Sequence, residues 1–177
     1  MLVLLFVALG GIAGLSQSRS VNQQNALKTL HDRSLRSTAP EKVIAAIKDV
    51  VSPYLAQPID NAEPIPADIL ATLADLLDFG RIRPGHPNFD IMAGQMEYPV
   101  WGVLVSLRHR ALPTMLKVIE NEEMDSLKSK NALSVIRRIV GEDRETIDFL
   151  LSEYEKVNSD KGKERVLSAA NRIETIH

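Results

Sequence analysis

The sequence predicts an all-α protein: six or seven short amphipathic helices after an apolar N-terminal segment, arranged as a helical repeat. Three observations carry this. First, candidate helices place apolar residues at i, i+3, i+4, i+7, and no stretch keeps a period of two. Second, Asn131–Val140 is echoed by Arg165–Glu174. Ala132, Val135, Ile136 and Ile139 return as Val166, Ala169, Ala170 and Ile173, each 34 positions later (166 − 132), the mark of a repeat in one register. Third, hydrophobic residues make up 45% of the chain but aromatics only 5%, so the core is aliphatic, as helix-on-helix packing favours.

Residues 2–15 form an uncharged apolar run, shorter than the roughly 20 residues a spanning helix needs. Gly14 and Ser16 are small residues suited to signal-peptidase cleavage after Ser16, although no Lys or Arg precedes the run. Residues 1–16 are therefore expected to be a signal peptide or a membrane anchor, with a buried helix as the remaining alternative. Residues 17–39, rich in Ser, Gln, Asn and Arg, are expected to be a flexible lead-in, with Asn25–His31 as a candidate helical turn. The helical repeat domain is then 40–177. Its first helix opens with Thr38 as N-cap, Pro40 in the first turn and Glu41 completing a capping box. Val43, Ala46, Ile47 and Val50 form its stripe, and Pro53 ends it or kinks its last turn.

The three prolines of 56–66 make a loop. A second helix is expected over 67–79, with Leu70, Leu73, Ala74 and Leu77 inward and Gly80 as its stop. Residues 80–96 are the longest irregular stretch, and loops of that length in a compact domain are functional or mobile. The third helix carries Val100, Val103, Leu104 and Leu107; the fourth carries Leu112, Met115, Leu116 and Ile119, with Pro113 in its first turn. The fifth runs from Ser126 to Val140 and stops at Gly141, read as a left-handed cap. Asp143 is expected to cap the sixth, whose stripe is Ile147, Leu150, Leu151 and Tyr154. The seventh spans about 163–176. Short turns are expected to join antiparallel neighbours.

Over Leu107–Tyr154 the chain resembles HEAT-like, armadillo-type repeat proteins. The residues that carry the likeness are Ala111-Leu112-Pro113-x-Met115-Leu116, opening a second helix, and Asn131-Ala132-Leu133-x-x-Ile136, opening the next first helix. It extends over 97–176 and loosely over 41–79. The period of 34–35 is shorter than the roughly 40–47 usual for HEAT repeats. The tetratricopeptide signature is absent: Val105 stands where Gly is expected and Arg108 where Tyr is expected. The resemblance implies a right-handed α-α superhelix, a short solenoid that works as a binding scaffold. An irregular helical bundle is the alternative arrangement.

With 21 basic and 23 acidic residues and a net charge of −2, the chain lacks the concentrated positive charge of a nucleic-acid binder. It has no cysteine, which excludes disulfides, thiolate catalysis and cysteine-ligated zinc. No phosphate loop, nucleophile elbow or zinc-protease motif is present, so no catalytic, cofactor or metal residue is assigned and no small-molecule substrate is expected. Candidate partner-binding residues are Arg137, Arg138, Arg108, Trp101, Lys117 and Asp148. The arginines, with Arg110 and Arg172, have a plainer reading as cations complementing helix C-termini, and Trp101 as a packing residue. The terminal helix makes a docking edge if its polar residues leave Leu167 and Ile176 uncovered. These features lead to an exported, non-catalytic scaffold for an unidentified protein partner, periplasmic or secreted, membrane-bound only if the N-terminal segment is retained. The alternative is a small extracytoplasmic metal-binding protein or hydrolase using His86, Asp90 and Glu97 in the 80–97 loop.

Overall fold

A computed structural model of the chain describes residues 20–57, 63–80 and 98–174. The apolar segment 1–16, the loop residues His86, Asp90 and Glu97, and Ile176 lie outside the described residues. Those described form helices and turns, with no strand among them. The helices are α1 (Val21–His31), α2 (Leu35–Thr38), α3 (Pro40–Leu55), α4 (Ala67–Asp75), α5 (Pro99–Ser106), α6 (Leu112–Asn121), α7 (Leu127–Val140), α8 (Asp143–Tyr154) and α9 (Asp160–Glu174). A 3-10 turn, Arg108–Ala111, links α5 to α6. One continuous apolar core runs from Ala26 in α1 to Ile173 in α9.

Most of the expected flexible lead-in is folded. Ser20 caps α1 by accepting from the Gln23 amide at 3.2 Å, and Gln23, Ala26, Leu27 and Leu30 are buried against α3. The stripe has the usual helical spacing, but its first member is polar. Gln23 Nε2 donates to the Val50 carbonyl at 3.2 Å, and that bond lets an amide occupy a core position. Thr38 is not the N-cap of α3. Its hydroxyl turns back to the Ser34 carbonyl at 2.9 Å, while Ala39 holds the cap position without a side-chain bond. Pro53 lies inside α3, which continues to Leu55. A proline there denies Asp49 its helical donor, and the Ser52 hydroxyl reaches that carbonyl at 3.2 Å.

α4 stops at Asp75, four residues short of expectation. The amides of Leu76 and Leu77 bond three residues back, to Leu73 and Ala74, and this tighter turn buries Leu76, Leu77 and Phe79 together. α5 and α6, expected to pair as a hairpin, make no extensive contact. Between them Arg108 takes φ +54°, and α7 packs across α5, the 3-10 turn and α6.

α6 packs against α7 and α9, and α8 packs against the same two helices, so the last four helices close into a ring. α7 and α9, whose sequences echo each other, do not stack side by side. Each lies between α6 and α8, which gives both the same burial requirement: Ala132, Val135 and Ile136 in one, Val166, Ala169, Ala170 and Ile173 in the other.

Ser126 caps α7 through the Ser129 amide, 3.1 Å away, and Gly141 ends it as expected. Its backbone is not left-handed helical, however: φ is +129° and ψ −130°, still a region that favours glycine. A β-carbon there would collide with the Glu145 carboxylate. That carboxylate belongs to the capping box that starts α8, in which Glu142, not Asp143, is the cap. α8 also rotates relative to its expected stripe: Thr146 and Leu150 are fully buried, while Leu151 is 42% exposed. Thr146 tolerates burial because its hydroxyl donates to the Glu142 carbonyl at 3.1 Å.

Candidate functional site: a cationic cleft beside Asp75

The most constructed polar feature lies where α1, α2 and α4 meet. α1 ends at His31. Asp32 then makes a tight turn, its Oδ1 accepting from the Ser34 amide at 3.0 Å and from the Ser34 hydroxyl at 2.6 Å. That turn carries Arg33 and sends Arg36 back along α2 toward α4. On α4, Thr72 and Asp75 are three residues apart and share one face. The resulting cleft, about 330 Å³, is lined by Leu30, His31, Arg33, Arg36, Thr72 and Asp75, with Ala71 completing it.

Asp75 is the electrostatic centre. Arg36 Nη2 reaches its Oδ2 at 2.6 Å, Lys128 Nζ of α7 reaches its Oδ1 at 2.9 Å, and Arg33 lies 3.6 Å away. Burial alone pushes this carboxyl upward. The hydrogen bonds from Lys128 and Arg36, together with their charges, outweigh burial and lower it from 3.8 to about 2. Thr72 spends its proton on the Asp68 carbonyl at 2.7 Å, so in its 3.1 Å contact with His31 Nε2 it is the acceptor. The imidazole is thereby fixed with Nε2 protonated. Arg36 Nε is buried without a hydrogen-bond partner among the described residues. Arg33 and Arg36 against Asp75 leave the lining of the cleft with an excess of one positive charge, which disfavours a metal cation and favours an anion.

Because the folded-state value of Asp75 is depressed, its contribution to stability is complete above about pH 4 and fades as pH falls toward 2. The carboxylate is 38% exposed, and screening holds the expected effect to about 1 kcal/mol. Urea unfolding at pH 5 and pH 2 checks this: the stability gap between wild type and Asp75→Asn should shrink by about that amount. A gap independent of pH would show that Asp75 contributes nothing through its charge.

None of the six residues nominated from sequence lines this cleft. Trp101 is 7% exposed and its Nε1 donates to Ser134 Oγ at 3.1 Å, so it is a packing residue and not a surface anchor. Arg137 is held by Asp143 at 2.5 Å. Arg138, Arg108, Lys117 and Asp148 are exposed on four separate elements. The wider arginine ladder is dispersed by internal bonds. Arg110 donates to the carbonyls of Tyr54 and Glu63 at 2.9 and 3.3 Å. Arg172 donates to the Met124 carbonyl and to Asp125 at 2.9 and 2.7 Å. Arg165, 7% exposed, donates to the Glu120 carbonyl at 2.9 Å and to Glu123. These arginines tie segments together, and two of them do so at helix ends: Arg110 reaches the last turn of α3 at Tyr54 and Arg165 the last turn of α6 at Glu120, whereas Arg172 holds the loop before α7. Glu123 is lowered first by its hydrogen bond from Lys161 and then by the charge of Arg165, and Asp125 first by its hydrogen bond from Arg172.

The cleft residues were not singled out because their partners are remote in sequence. Arg36 to Asp75 spans 39 positions and Lys128 to Asp75 spans 53. The one local signal was the stripe Gln23, Ala26, Leu27, Leu30, which declares α1 once an amide is admitted to it.

Among the described residues, no group of three or more His, Asp or Glu is placed to hold a metal ion, and no helix is long and apolar enough to cross a membrane. Compared with protein-family models, curated proteins and solved structures, the chain matches none.

Proposed function

We propose that this protein is a non-catalytic helical binding domain that works outside the cytoplasm and docks a protein partner across the outer faces of α8 and α9. The observation that carries this reading is the exposure of Leu151 and Leu167, 42% and 41%, on two neighbouring helices. Leu167 belongs to the terminal helix, whose polar residues leave it uncovered. Exposed large aliphatic side chains mark an interaction surface where they join into one patch, and we take Leu151 and Leu167 as the two anchors of such a patch. The in-register echo of α7 and α9 supports a repeat origin of the HEAT-like kind. Ser20 caps the first described helix, so cleavage after Ser16 would leave every described helix intact, which is compatible with export.

The test is affinity capture from cell-envelope and culture fractions with wild type and a Leu151→Glu/Leu167→Glu variant. Both substitutions are at exposed sites, so the melting temperature should hold. Partner affinity should fall at least tenfold, about 1.4 kcal/mol. A partner set unchanged by the double variant removes the docking face from consideration. Mass spectrometry of the mature chain checks the export reading, which an intact Met1 in the cytosolic fraction would overturn.

A further inference from the structure

We propose that the cleft between α1, α2 and α4 binds an oxyanion of the phosphate class, gripped by Arg33 and Arg36. This site is separate from the α8–α9 face and does not depend on that docking reading.

Three features point to this ligand. The first is charge. Three cations surround a single carboxylate, with Arg36, Lys128 and Arg33 at 2.6, 2.9 and 3.6 Å. Asp32, the other acid of the turn, keeps its charge while bonded to Ser34 but does not line the cleft, so the lining holds Arg33 and Arg36 against Asp75 alone. The excess of positive charge on the lining draws an anion into the cleft.

The second feature is the state of the two guanidinium groups. Arg36 is anchored by Asp75, with its side chain 23% exposed, and so is pre-positioned at the cleft wall. Arg33 is 78% exposed and lies at the long end of ion-pair distance, so it can close onto a ligand without breaking a strong contact. Two guanidinium forks, one fixed and one free, suit a tetrahedral oxyanion, which accepts paired N–H bonds on more than one edge.

The third is the shape and finish of the site. The cleft is a half-open depression of about 330 Å³, with Leu30 at its apolar side and the His31–Thr72 pair as a polar wall. Asp75 then has two roles. It holds Arg36 in place, and it competes with the incoming anion for the same donors.

That competition yields a test that a purely structural ion-pair cluster would not pass. Inorganic phosphate is titrated into the full chain and followed by calorimetry and by the His31 ring resonances, with chloride at matched ionic strength as reference. Wild type should bind phosphate and not chloride. Arg33→Gln, at an exposed and loosely held position, should keep the fold and weaken binding about tenfold. Asp75→Asn keeps an amide oxygen to accept from Arg36 and removes the competing charge, so it should bind phosphate more tightly than wild type. A second arm measures sedimentation with phosphatidic acid vesicles against neutral vesicles. Retention on the acidic vesicles that Arg33→Gln abolishes assigns the anion to a lipid headgroup; binding of free phosphate alone assigns it to a soluble ion. The proposal is overturned if phosphate acts no differently from chloride, if Arg33→Gln binds like wild type, or if Asp75→Asn binds more weakly.

Discussion

Trp101→Ala should lower the unfolding free energy by about 3–5 kcal/mol, the range for deleting a buried indole. Trp101 is 7% exposed on α5, and α5 is the helix that touches α3, α4 and α7. Truncation would open a cavity where the N-terminal helices join the ring. It would also remove the 3.1 Å bond to Ser134. Trp101→Phe separates these effects: it keeps most of the apolar volume, loses the N–H donor, and should cost about 1 kcal/mol. Urea unfolding followed by circular dichroism measures both. Trp101 is the chain's one tryptophan, so its emission reports its surroundings directly and should lie at short wavelength until the protein unfolds. Emission typical of a hydrated indole in the native state, with a small cost for alanine, would return Trp101 to the surface as a binding anchor.

Leu30→Ala should cost about 2–5 kcal/mol. Leu30 is 2% exposed at the last inward position of α1, where it packs into the same core as α3 and also lines the foot of the cationic cleft. A flexible lead-in would tolerate this substitution with almost no change, so the measurement decides whether α1 belongs to the cooperative unit. For a domain whose total stability is on the order of 5–15 kcal/mol, the expected loss is a large fraction. The same variant should weaken the cleft as α1 loosens, and protease cleavage after Arg33 and Arg36 should accelerate. Unfolding identical to wild type would mean that the helix rests on the domain without contributing to it.

The gap between expectation and structure at α1 has a definite origin. A stripe search recognises apolar residues, and Gln23 is not one; it became a core residue because the Val50 carbonyl, 27 positions away, accepts its amide. The same cause moved the stripe of α8. Ile147, Phe149, Leu150 and Leu151 lie nearly all round that helix, so pattern alone left its inward face open, and the packing of α7 and α9 chose Thr146 and Leu150. Where a local rule had no competitor, as with the stop of α7 at Gly141, the expected boundary holds in the structure, although the glycine takes another positive-φ conformation than the left-handed one expected. Thr38 and Asp143 show the limit of such rules. Each satisfies the chemistry of a cap, but another bond claims its side chain, the Ser34 carbonyl for one and Arg137 for the other.

By itself, the sequence determined that the chain is helical and determined most of the inward positions of α3, α4, α6, α7 and α9, because an aliphatic period of 3.6 leaves a helix one face to bury. Only the tertiary structure decided which helices are neighbours, that α7 and α9 face the same pair from opposite sides, and that Arg33, Arg36 and Lys128 converge on Asp75. The physical reason is range. Periodicity and capping act within a turn or two of the chain, whereas an ion cluster assembled from α2, α4 and α7 exists only after three separate burial decisions have been made together.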